Sequence, residues 1–131
     1  MHPREVPESE MQERFVEAIA YLSLNSREIA QLLGISEAAV SRYKGDFRFI
    51  FQKKEKIREI ATIYIAVISS IKKIYSKERV GKLWFFTYSH KLGDIPIECL
   101  SSIEKLLALH HYLLEKVAER NLSKYETFNY S

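Results

Sequence analysis

The segment from Ser36 to Lys44 combines hydroxyl and cationic side chains at helical spacing. Arg42 can read a base directly, because a guanidinium donates two hydrogen bonds to one guanine edge. Ser36, Ser41 and Lys44 are better suited to hold phosphate oxygens. On a helix through this segment, six residues are free to face a major groove: Ser36, Glu37, Ala38, Ser41, Arg42 and Lys44. This pattern predicts a surface for double-stranded DNA, although Glu37 and Ala38 discriminate little between bases, so tight binding to one operator would need a dimer or additional contacts.

Other residue types that commonly do chemistry are scattered along the chain. His90, His110 and His111 lie on either side of Cys99, but they lack the paired Cys-x-x-Cys or His-x-x-x-His spacing of a zinc site. Cys99 has no base beside it in sequence, and glycine-rich phosphate loops are missing. The carboxylates of the second half fit exposed helix faces better than a general acid–base pair. We therefore expect no enzymatic activity, no metal site and no cofactor.

The formal net charge of +3 is unevenly distributed. Residues 1–52 hold six Lys and Arg against eight Asp and Glu, whereas residues 53–131 hold fourteen against nine. Seven cations nonetheless cluster within seventeen residues: Arg42, Lys44, Arg48, Lys53, Lys54, Lys56 and Arg58. Such a cluster can follow a phosphate backbone. The alternative is an ordinary solvated surface, since Asp46, Glu55 and Glu59 lie among these cations.

Two short helices joined by a glycine turn would position these side chains. Asn25 or Ser26 can accept a hydrogen bond from the free amides that start the first helix. Gly34 tolerates the left-handed backbone at the end of that helix, and Ser36 can cap the second helix. Small and apolar residues at fixed offsets would lock the pair together: Ile29, Ala30, Leu33, Ile35 and Val40. With an amphipathic helix over residues 10–22 before it, the pair predicts a helix-turn-helix.

A resemblance to known regulators lies in residues 26–45, SREIAQLLGISEAAVSRYKG. This segment resembles the helix-turn-helix of phage-repressor-like and related bacterial regulators. The resemblance implies DNA binding. The alternative is a helix-turn-helix that serves only for packing or as a dimer surface.

The second half of the chain is also predicted to be helical. Apolar periodicity predicts helices over residues 53–75, 77–90 and 103–117, with a short helix between Pro96 and Leu100. We expect the second of these helices to turn Val80, Leu83, Trp84 and Tyr88 inward, and residues 121–131 to be loose. No segment alternates like a strand. The fold class is therefore predicted to be all-α, with a helix-turn-helix DNA-binding domain over residues 1–52 and a helical dimerisation domain over residues 53–131.

Excess apolar surface in the second half predicts burial against another chain. The residues that exceed the needs of one core are Ile63, Ile65, Phe85, Phe86 and Leu109. We expect a homodimer formed through residues 53–117.

A second resemblance covers most of residues 60–118. This part of the chain resembles Xre/MbcA/ParS-type antitoxins in the order of its features. These features are Trp84, the Leu92-Gly93 turn, Pro96, Leu100 and a long amphipathic helix over residues 103–117. The resemblance implies an antitoxin that dimerises, neutralises a cognate toxin and represses its own operon. The toxins of that family include RES-domain enzymes. The alternatives are a stand-alone dimeric transcription regulator with no toxin partner and a protein-binding adaptor that does not bind DNA.

Three aromatic residues near the chain end, Tyr125, Phe128 and Tyr130, are candidates for the toxin contact, because aromatic rings with few rotamers are favoured at interfaces. The alternative is that they fold back on the protein's own surface. One cysteine and an N-terminus without an apolar signal segment predict a cytoplasmic protein. The most apolar run, residues 57–75, carries four charged residues, so we predict no membrane span.

Overall fold

The computed structural model describes the backbone of residues 7–130 and the side chains of residues 7–123. The described chain is helical, which confirms the all-α prediction, and within it β pairing is confined to one isolated bridge between Ser89 and Asp94. The elements are α1 (Glu8–Leu22), α2 (Ser26–Leu33), α3 (Glu37–Tyr43), α4 (Arg48–Lys53), α5 (Glu55–Ile74), α6 (Glu78–Phe85), a 3₁₀ helix (Pro96–Ser101) and α7 (Ile103–Tyr130).

The chain divides into two compact units, Met1–Ile65 and Ala66–Ser131, with the division inside α5. The helix-turn-helix lies entirely in the first unit. The predicted domain division at residues 52/53 falls instead near the end of α4, and it stays a prediction.

An aromatic cluster forms the core of the first unit. The ring of Phe15 in α1 makes edge-to-face contacts with Phe47 and Phe51, at centroid distances of 5.1 and 5.4 Å, and with Tyr64 at 6.3 Å. The Tyr64 hydroxyl donates a hydrogen bond to the carbonyl oxygen of Ala18 over 2.6 Å, and burial raises the pKa of this phenol. Because the rings are fully buried, they fix α4 and the start of α5 against α1.

Helix α4 was not predicted from the sequence pattern. This helix has only six residues, too few to repeat a helical period, yet its start is well defined. The Phe47 amide donates to Oε1 of Gln12 in α1 over 2.7 Å, and Ile50 and Phe51 are buried one turn later. Tertiary packing, rather than local propensity, therefore stabilises α4.

The second unit is built around α7 and the 3₁₀ helix, which pack on each other. Leu106, Leu109 and Leu113 form the buried face of α7, and Cys99 and Leu100 are buried in the 3₁₀ helix. Pro96 opens the 3₁₀ helix at its first turn, as predicted.

The predicted inward face of α6 is wrong. Gly81 and Phe85, four residues apart, are the buried positions, whereas Val80, Leu83 and Tyr88 are exposed. The helix ends at Phe85 rather than His90, because the chain turns back on itself. The Ser89 amide donates to the Asp94 carbonyl oxygen over 3.0 Å, so the residues after Phe85 leave the helical face.

Two further expectations for the second unit are corrected. Phe85 and Leu109 were expected to be surplus surface, but both are fully buried within the unit. Residues 121–130 were expected to be loose, but α7 continues to Tyr130. Neither glycine nor proline interrupts that stretch, and the Arg120 guanidinium donates to the carbonyl oxygen of Ile74 at the end of α5.

Candidate nucleic-acid interface

Reciprocal hydrogen bonds fix the start of α2. The Asn25 side chain accepts from the Glu28 amide over 2.8 Å, and the Glu28 carboxylate accepts from the Asn25 amide over 2.9 Å. This capping box satisfies two amides that a helix start leaves without partners. Asn25, rather than Ser26, is therefore the N-cap.

The turn between α2 and α3 is set by Gly34 and Ser36. Gly34 has a left-handed φ of 69°, and the following Ile35 amide donates to the Ala30 carbonyl oxygen over 3.1 Å. The Ser36 hydroxyl oxygen accepts from the Ala39 amide over 3.1 Å and so begins α3. Both roles agree with the predicted turn chemistry.

The two faces of α3 differ sharply in burial. Val40 is fully buried and Ala39 is nearly so, and α2, with buried Ile29, Ala30 and Leu33, packs on α3. The predicted DNA-facing residues are all exposed: Ser36, Glu37, Ala38, Ser41, Arg42 and Lys44. The helix-turn-helix thus presents one continuous polar side to solvent.

Two of the seven cations in the cluster form ion pairs within the protein, so they are less available to bind phosphate. Arg48 forms hydrogen bonds with both carboxylate oxygens of Asp46, the shortest at 2.7 Å, and these bonds hold the pKa of Asp46 below its usual value. Arg58 pairs with Glu8 over 3.0 Å. The other five cations of the cluster are exposed: Arg42, Lys44, Lys53, Lys54 and Lys56. Lys44 also donates to the Ser26 hydroxyl over 3.3 Å, which joins the end of α3 to the start of α2.

Sequence reasoning missed an aromatic ridge beside α3, which consists of Tyr43, Phe49 and Lys53. The rings of Tyr43 and Phe49 stack with a centroid distance of 6.2 Å and an interplanar angle of 21°. The Lys53 ammonium lies 4.9 Å from the Phe49 ring centroid. At the other end of the ridge, the Arg42 guanidinium carbon lies 6.0 Å from the Tyr43 ring centroid. Phe49 and Lys53 are four residues apart, a spacing that indicates contact only when both residues lie on one helix. Because α4 was not predicted, this contact could not be predicted either.

Cys99 and the three histidines of the second half, His90, His110 and His111, all lie in the second unit. Cys99 is buried, and burial raises the pKa of its thiol, which disfavours the reactive thiolate. Over residues 7–123, no group of three His, Cys, Asp or Glu side chains could hold a metal ion. In the part of the chain that the structure describes, no helix is long and apolar enough to cross a membrane.

Part of the chain matches a known protein family. Residues 11–63 match the bacteriophage CII protein family, which comprises helical transcription regulators of the helix-turn-helix type. The matched segment is less than half of the chain and runs from α1 into the first part of α5. No curated protein matches the chain. The family match supports a helical DNA-binding regulator and gives no support to the specific Xre/MbcA/ParS antitoxin type.

Proposed function

We propose that the protein is a transcription regulator that binds double-stranded operator DNA through the outer face of α3. The opposed faces of α3 carry this proposal, because Val40 is fully buried while Ser41 and Arg42 beside it are exposed. A recognition helix must be held rigidly on one side and be free to enter a groove on the other. The match to the bacteriophage CII family over the same segment adds support. Such a regulator acts in the cytoplasm, where its DNA lies.

Each exposed residue of α3 has a role in this proposal. Arg42 reads a guanine through its O6 and N7 atoms, and Ser36, Ser41 and Lys44 contact phosphates. Glu37 and Ala38 face the groove and contribute little discrimination. One such helix reads few bases, so a homodimer that places two copies of α3 in successive major grooves fits the proposal better than a monomer.

The proposal is tested by selecting an operator from random duplexes and measuring affinity by fluorescence anisotropy at several salt concentrations. The wild-type protein should bind with a steep salt dependence. Arg42→Ala should weaken binding to the selected operator by about 1–3 kcal/mol and relax preference at one base position.

Arg79→Ala is the matched control, because Arg79 is an exposed arginine of the second unit, and it should bind like the wild type. Equal loss across all single-base operator variants would show that Arg42 contacts only phosphate. The absence of any salt-dependent affinity in the wild-type protein would overturn the proposed function and favour the protein-binding adaptor.

An antitoxin role is the second candidate. Support for it comes from the resemblance over most of residues 60–118 and from exposed apolar side chains of the second unit, among them Leu83 at 65% and Phe86 at 58% exposure. Where such side chains form a contiguous patch, they are typical of a surface that binds a protein partner. The candidate toxin contacts Tyr125, Phe128 and Tyr130 lie in the last part of α7, and their side chains are outside the described residues.

Co-expression with the product of a neighbouring gene, followed by co-purification, separates the two candidates. An antitoxin should co-purify with that product and rescue growth from it. Deletion of residues 121–131 should then weaken rescue and leave DNA binding unchanged. A stand-alone regulator should bind its operator and retain no such partner.

A further inference from the structure

Phe49 is an exposed aromatic residue with buried apolar residues close to it in sequence. Its neighbours Phe47, Ile50 and Phe51 all lie in the core of the first unit, whereas the Phe49 side chain is 53% exposed. Isolated exposed apolar residues are common on soluble proteins. Phe49 is not isolated, because Tyr43 stacks on one side of it and Lys53 lies against it on the other.

The aromatic ridge continues the polar side of α3. It begins beside Arg42, crosses from Tyr43 at the end of α3 to Phe49 in the first turn of α4, and ends at Lys53. The rings hold each other in place, and the cation beside Phe49 is attracted to its ring. The ridge is therefore a fixed surface adjacent to the proposed base-reading residue.

The charge around the ridge indicates what it contacts. Between residues 42 and 55 the chain has five cations and two acids; the Asp46 carboxylate is already bonded to Arg48, and Glu55 follows Lys54. Exposed positive charge thus remains at both ends of the ridge, on Arg42 and on Lys53 with its neighbour Lys54. A polyanion with apolar sugar surfaces between its charges matches this alternation of cation, ring and cation. The sugar–phosphate backbone of DNA has that character.

We propose that the aromatic ridge extends the DNA interface beyond α3: Phe49 packs on a deoxyribose at the edge of the groove, and Lys53 neutralises a neighbouring phosphate. This inference rests on the proposed DNA binding. It supplies additional contacts that the sparse face of α3 needs for tight binding. Because sugars and phosphates are the same in every sequence, these contacts add affinity without adding base preference.

The test measures affinities of Phe49→Ala and Lys53→Gln for the selected operator and for an unrelated duplex. Phe49→Ala should weaken binding to both duplexes by a similar factor, about tenfold, as expected for the loss of one buried aromatic contact. Phe49→Tyr should restore most of the affinity. Lys53→Gln should reduce the slope of log affinity against log salt by about 0.9, the value for one phosphate.

Val16→Ala is the matched control, because Val16 is an exposed apolar side chain of α1 that belongs neither to the ridge nor to the second unit, and it should bind both duplexes like the wild type. Far-UV circular dichroism verifies that each variant is folded. Unchanged affinity of folded Phe49→Ala in a protein that otherwise binds DNA would overturn this inference and leave the proposed function intact. Dissociation of an oligomer by Phe49→Ala, measured by sedimentation, would also overturn it, since the ridge would then be a contact between subunits.

Discussion

His110 of α7 illustrates how a single residue can make this fold sensitive to pH. Its Nδ1 atom is buried and is the one such side-chain nitrogen or oxygen over residues 7–123 without a hydrogen-bond partner. Burial, and then the neighbouring charge of His111, lowers the pKa of His110 below its ordinary value of 6.5. The folded protein therefore favours neutral His110, whereas the unfolded chain protonates it near pH 6.5.

The sign of the resulting pH dependence follows from proton binding. Between pH 6.5 and the lowered pKa of the folded state, the unfolded chain binds more protons, so the free energy of unfolding decreases as the pH falls. Urea denaturation at pH 7.5 and 5.5 should show this loss in the wild type and a smaller loss in His110→Met. His90→Gln changes an exposed histidine and should keep the wild-type dependence. If His110→Met loses as much stability as the wild type, another group is responsible.

Residue types alone predicted which side chains of α3 would be exposed but not which cations would be available. The exposed set follows from helical geometry once Gly34 and Ser36 set the register of α3. The pairing of Arg48 with Asp46 depends on how the chain enters α4, and that of Arg58 with Glu8 joins residues fifty positions apart. Neither pairing is visible in the local pattern.

At the scale of elements, the turn between α2 and α3 allows a direct comparison of two glycines. Gly34 has a left-handed φ of 69°, whereas Gly45 does not have a positive φ, and a Cβ atom at either position would meet no neighbour within 4 Å. Any cost of an alanine at Gly34 therefore comes from its backbone conformation alone. L-residues pay roughly 1–2 kcal/mol in this region.

Gly34→Ala should accordingly lower the free energy of unfolding by about 1–2 kcal/mol. Gly45→Ala should be neutral or stabilising by up to about 1 kcal/mol, because alanine restricts the unfolded chain. Urea denaturation of both variants tests the comparison. Equal effects at the two positions would show that the left-handed conformation does not limit stability here.

Elements with local start and stop signals were predictable, and elements defined by packing were not. The caps at Asn25 and Ser36 and the proline at residue 96 are encoded within a few residues of each helix. In contrast, α4 depends on the ring of Phe15, which contacts Phe47 from 32 residues earlier in the chain. The inward face of α6 includes a glycine, which carries no apolar side chain to mark it.

At the scale of the whole molecule, the second unit exposes several large apolar side chains to solvent. The exposed ones on described residues are Val80, Leu83, Phe86, Tyr88, Ile103, Leu107, Leu114 and Leu122. Three of the residues that were expected from sequence to be surplus lie in or beside α6 and α7. Of these three, Phe85 and Leu109 are buried and Phe86 is exposed as expected. The homodimer expected through residues 53–117 would therefore be formed largely by apolar side chains other than those expected from sequence.

Sedimentation at micromolar concentration should show a dimer. Leu83→Ser should weaken it, because Leu83 is the most exposed of these apolar side chains. Val16→Ser removes an exposed apolar side chain from the first unit and should leave the dimer unchanged. A wild-type protein that sediments as a monomer would contradict the prediction.

The location of the candidate site was predictable from the sequence, but the aromatic ridge beside it was not. A helix-turn-helix is a local motif of about twenty residues, so its exposed face can be derived from sequence. The aromatic ridge forms only after folding, because its members come from two helices.

The chain contains a single tryptophan, and its position provides an optical probe of one half of the molecule. Trp84 lies in the second unit, where its indole stacks on Tyr112 at 6.2 Å with nearly parallel planes. Its emission therefore responds to the melting of that unit, whereas ellipticity at 222 nm responds to helices in both units. Coincident curves from the two signals would identify one cooperative folding block, and separate curves would identify two.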